Sequence, residues 1–165
     1  MSVHILSNIQ DDVVSRLETD LGGAGAYIDR SEHQNEQILA EWAMDNTSQL
    51  DRYTHIFVYT GPLTLRGEDT TRRAPRATIP VRVFVMARDS GHEKVERQKK
   101  EADKWALATA ASLQGSRFGD PMATNEGLVQ NVSINPIVNE DTAAMWEVNF
   151  DLDLTIDLDV VLNRL

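Results

Sequence analysis

The chain has 165 residues, no cysteine, 16 basic against 26 acidic side chains, and a net charge of −10. That length suits one domain, here taken as residues 1–165, able to bury roughly two-thirds of its unfolded surface. The missing cysteines exclude disulfides and thiolate metal sites, and the acidic balance excludes nonspecific nucleic-acid binding over the whole surface, which needs Lys and Arg to displace counterions.

The opening segment MSVHILSNIQDD has no basic n-region or long apolar run. With no stretch approaching the ~18 apolar residues of a membrane span, neither a signal peptide nor a membrane anchor is expected. Ser7 and Gln10 have capping-box spacing, and Ile9, Val13, Leu17 and Leu21 then recur every fourth residue up to Gly22-Gly23, which predicts a helix over about 8–21. Ser31 and Gln34 repeat the signal ahead of Ile38, Leu39 and Trp42, predicting a second helix over about 32–44.

Tyr53–Tyr59 is aromatic and β-branched and ends at Gly61-Pro62, as a strand would. Ala77–Arg88 alternates, with Ile79, Val81, Val83 and Val85 on one side, and Pro80 suggests a strand start or a free edge. The long basic loop 61–78 joins the two. Ser90 and Glu93 cap a third helix that carries Val95, Ala102, Trp105, Ala106 and Leu113 and stops at Gly115.

Leu128–Val138 and Met145–Leu158 then read as a hairpin about Asn139-Glu140-Asp141-Thr142. The expected fold is α+β: a four-stranded, largely antiparallel sheet with about three helices packed on one side.

Charge is segregated along the chain. Residues 1–53 carry ten acids and three bases, residues 140–165 seven and one, and residues 66–88 six arginines and two acids. Solvated faces are one reading; head-to-tail contact between unlike patches of neighbouring copies is the other.

Arg66, Arg72, Arg73 and Arg76 fall in the loop, where guanidinium groups suit bidentate pairing with carboxylates, so the loop is a candidate partner-docking element. Alternation places Glu147, Asp151, Asp153, Asp157 and Asp159 on one side of the last strand. That acidic face is either a solvated surface or a border to a lumen or rim that repels phosphates. A Mg²⁺ or Ca²⁺ site is the third reading, disfavoured because same-side strand residues stand ~7 Å apart.

Catalytic templates are missing. His4, His33, His55 and His92 are scattered, and there is neither a G-x-S-x-G elbow nor a phosphate-binding G-x-x-x-x-G-K-[ST] loop. His55, between aromatic neighbours on a strand, reads as a packed residue rather than a base. No cofactor is expected and no enzymatic activity.

The segments IQDDVVSRLETDLG, IFVYTGPLTLRG, VRVFVMAR, KWALATAASLQG and WEVNFDLDLTI, in that order, resemble the small tail proteins of Mu-like contractile-tailed phages, the tail terminators. The resemblance covers most of the chain and is weakest over 27–52. It implies a hexameric ring that caps the finished tail tube, halts tube and sheath polymerisation and receives the head–tail connector, with DNA passing and no specific DNA binding.

The same resemblance implies assembly in the host cytoplasm and residence in the virion at the tail or neck. In that setting the arginine loop docks on tube, sheath or a neighbouring subunit, and the acidic strand face borders the lumen or a rim. A neck or head-completion adaptor is the alternative, and a metal-dependent hydrolase using the carboxylate stripe is a further one.

Overall fold

The computed structural model describes residues 4–31, 54–66, 73–87, 94–139 and 144–165. In chain order the elements are α1 (Ile5–Leu21), a 3-10 turn (Gly22–Ala24), β1 (Ala26–Arg30), β2 (Thr54–Thr60), β3 (Thr64–Arg66) and β4 (Arg76–Ala87). They continue with α2 (Lys94–Leu113), β5 (Arg117–Phe118), β6 (Gly127–Leu128), β7 (Ser133–Asn139), β8 (Ala144–Thr155) and α3 (Leu158–Asn163). The helix expected over 32–44 and the turn at 140–142 lie outside the described residues.

The architecture is α+β, but the sheet is six-stranded and mixed rather than four-stranded and antiparallel. Its order is β1-β2-β4-β8-β7, with β3 also paired to β4. β1 runs parallel to β2, from Ala26 opposite Thr54 to Arg30 opposite Val58. The other pairings in this sheet are antiparallel. The 12-residue β4 is the spine: one side pairs with β8 along its whole length, the other with β3 at residues 76–78 and β2 at 81–87.

Pro80 is therefore inside a central strand, not on an edge. Its carbonyl accepts from the Gly61 N–H at 3.0 Å, so the side on which its own N–H is missing is the corner where the chain turns from β2 to β3. No ladder bond is lost there.

The strand period of two sorts the sheet into two faces. Ile56 and Val58, Ile79, Val81, Val83 and Val85, and Val148, Phe150, Leu152 and Leu154 face α1 and α2 in the main core. α1 supplies Ile9, Val13, Leu17 and Leu21, all buried and at the expected spacing. From α2 come Ala102, Trp105, Ala106 and Leu113. The opposite face holds a smaller buried cluster of Phe57, Phe84, Met86 and Met145.

α1 starts earlier than the capping-box reading and has His4 at its N-cap with no side-chain cap. Gln10 is used elsewhere: its Nε2 donates to the Ser31 and Val58 carbonyls at 2.9 and 2.7 Å, tying the helix to the residue after β1 and to β2. A Ser112 hydroxyl donating to Asp20 at 2.6 Å links α2 to α1.

Candidate functional site

The four loop arginines have different surroundings. Arg66 belongs to β3 and stands directly opposite Arg76, the first residue of β4. Both are exposed. Arg73 donates through Nε to Asp159 at 3.0 Å, with a second contact from Nη2 to the same oxygen, and its carbonyl accepts from the Leu158 N–H at 2.9 Å. That hydrogen bond to Asp159 raises the guanidinium pKa further. Arg73 thus fastens the loop to α3. Arg72 lies outside the described residues.

The five carboxylates do not form one acidic strand face. β8 ends at Thr155; Ile156 makes a single bridge to Ala123, and the chain turns into α3. Asp157 is the N-cap of that helix, accepting from the Asp159 and Val160 N–H groups at 3.0 and 3.2 Å, and Asp159 sits in its first turn. Leu158, expected on the apolar strand face, is the first residue of α3.

Glu147 is buried, held by Arg82 through Nε at 3.2 Å and Nη2 at 2.5 Å, and accepts from the Asn149 amide. Arg82 also lies 5.1 Å from the Phe84 ring centroid. Only Asp151 and Asp153 remain exposed on the strand, with Asp153 accepting the Thr78 hydroxyl at 2.8 Å.

One exposed part of the helix-free face is therefore a patch of three strands. Successive rows across β3, β4 and β8 read Arg66, Arg76 and Thr155, then Thr64, Thr78 and Asp153, then Pro80 and Asp151. Sequence reasoning missed this arrangement because it treated 61–78 as one loop. The signal was present in the short apolar-centred run Thr64-Leu65-Arg66.

Several concavities flank α1. An open groove of about 690 Å³ runs between α1 and the 117–126 segment, lined by Asp12, Ser15, Phe118, Asp120, Thr124 and Glu126 among others. Burial, then the nearby charge of Asp120, push the Asp12 carboxyl up. Asp120 itself is engaged by the Asn8 amide at 2.9 Å and the Met122 N–H at 2.8 Å. A hollow of about 400 Å³ includes Leu6, Gln10, Asp29, Ser31, Tyr59 and Thr60.

His55 is buried with its ring 5.2 Å from Tyr27 and 5.9 Å from Phe57, and burial pulls its pKa down to about 4. Among the described residues, no three His, Asp or Glu side chains are placed to share a metal ion. No described helix is long and apolar enough to cross a membrane.

No protein-family model and no curated protein matches this sequence. Among solved structures, a chain from the virion of a native gene transfer agent (GTA) particle is similar with a TM-score of 0.55 and 13% identity, covering 93% of this chain and 99% of its own. A second solved chain, at a TM-score of 0.46 and 12% identity over 87% of this chain, is too distant to bear on the fold. The near-complete coverage of both chains makes the likeness to the particle chain one of the whole fold.

Proposed function

We propose that the chain is a structural protein of a phage-type virion, acting as a tail terminator. One observation carries this reading: the whole fold, end to end, is similar to that of a chain built into a virion particle. The order of the sequence segments that resemble tail terminators supports the finer assignment.

In this reading copies close into a ring, hexameric as in the family resembled, through head-to-tail contacts between unlike patches. The ring seats on the last layer of the tail tube, stops tube and sheath growth by occupying the face on which the next layer would add, and presents its other side to the head–tail connector. No reaction is catalysed and no cofactor is held. Exposed Arg66 and Arg76 are suited to acidic partner surfaces, and the net charge of −10 keeps passing DNA from adhering.

The test is solution mass by light scattering over a range of concentrations, then negative-stain imaging with and without tail tubes. Closed rings, or rings found at tube ends, support termination. A monomer that never binds tubes overturns it, and binding to the connector with no effect on tube length favours the neck-adaptor alternative.

A further inference from the structure

We propose that the exposed patch of the helix-free sheet face pairs with the same patch of a second copy, face to face about a two-fold axis, through Arg66, Arg76, Asp151 and Asp153. The contact is separate from ring closure, which takes unlike surfaces.

Like charges directly opposite on neighbouring strands are destabilising, yet Arg66 and Arg76 occupy such a pair, with Cα atoms about 5 Å apart. Among the described residues neither makes an ion pair, and neither does Asp151. Asp153 has only the neutral Thr78 hydroxyl. Among the described residues, two guanidinium groups and two carboxylates therefore share one exposed surface with their charges uncompensated by direct pairing.

Their placement is self-complementary. On standard strand spacings Arg66 and Asp151 sit at opposite corners of the patch, ~17 Å apart, with Thr78 at the centre. An axis lying between two such faces, at right angles to the Arg66–Asp151 diagonal, sets each Arg66 over Asp151 of the second copy and each Arg76 close to its Asp153. The strands of the two copies then cross at roughly 70°, within the range of crossed sheet packings, with the facing sheets ~10 Å apart. That gap suits an arginine reaching a carboxylate from the other side. With two arginines and two aspartates on each face the contact buries no net charge, and the two-fold axis makes it isologous: each half repeats the other.

The chain has no cysteine, so Thr78→Cys places a single thiol at the centre of the patch. With a bis-maleimide whose span matches the ~10 Å between facing sheets, the full-length T78C protein is expected to give a cross-linked dimer at low salt. Adding R66E/R76E, or adding D151K/D153K, is expected to reduce that yield at least tenfold, because each face then carries one sign of charge. Mixing these two variants restores it, since an acidic face now meets a basic one.

The milder R66Q/D151N change, which places no new charge on the sheet, gives a graded loss in chains of unchanged circular dichroism. Cross-linking that survives either reversal, or a mixture that stays uncoupled while both variants are folded, overturns the proposal and leaves the ring reading standing. Rings that vanish in the wild-type protein while T78C still cross-links would overturn the ring reading alone.

Discussion

Arg82 and Glu147 grip each other diagonally across the β4–β8 pairing, two residue pairs out of register, on the face of the sheet away from α1 and α2. Both are largely withdrawn from water, their side chains 29% and 11% exposed. Removing one partner strands the other, and Glu147→Leu is expected to cost about 3 kcal/mol, the low end for a buried pair because Arg82 keeps some contact with water. The double replacement R82M/E147L is expected to recover most of that loss. Urea midpoints for the wild type, both single variants and the double variant check it; additive losses would show that the pair is not coupled.

Gly127 passes so close to β8 that an added Cβ would stand 2.6 Å from Leu152 Cδ1 and 3.0 Å from the Asp153 carbonyl oxygen. Leu152 is fully buried and cannot swing away cheaply. Gly127→Ala is expected to destabilise by about 1–3 kcal/mol through overpacking, seen as a lowered thermal midpoint, whereas Gly23→Ala, with open space around it, should cost far less.

Acid should weaken the fold through His55. Its folded pKa is lowered to about 4 from 6.5, so between these values the unfolded chain binds a proton that the folded chain refuses. The contribution is complete above pH 6.5 and is lost as pH falls toward 4, with a slope of at most about 1.4 kcal/mol per pH unit. Denaturation of wild type and His55→Phe across this range separates the effect from that of the carboxylates: the difference between the two proteins should shift with pH and level off above 6.5.

Asp157 closes the N-terminus of α3 with two backbone hydrogen bonds. Asp157→Ala is expected to cost about 1 kcal/mol and to loosen residues 158–163 first, as faster amide exchange in that segment. Asp157→Asn or Ser keeps an accepting oxygen and should retain most of the protection.

What the sequence made legible was periodic and local. Ile9, Val13, Leu17 and Leu21 declare α1 because four-residue spacing has one physical meaning, and the alternation through Val148, Phe150, Leu152 and Leu154 declares the buried side of β8. β1 was hidden because it buries only Ile28 of its five residues and owes its existence to parallel pairing with a strand more than twenty residues away.

The acidic side of β8 was over-extended for a different reason. Asp157 and Asp159 continue the strand's period of two, but an Asp ahead of Leu-Asp-Val-Val is also a helix cap, and capping won. The burial of Glu147 was unreadable, since its partner Arg82 is brought beside it only by the sheet. Arg66 and Arg76 read as parts of one basic loop; that they face each other across two strands depended on β3, three residues long and exposed throughout.

The position of β4 has a kinetic meaning. Every other strand of the large sheet except β1 and β7 is zipped directly to it, and it can leave only by breaking ladders on both sides. Fraying can therefore begin at the margins, at β1 or α3, and proceed inward while the centre holds. The amides of Val83 and Val85 should accordingly be the last to trade their hydrogens for deuterium, surrendering them only when the entire molecule opens.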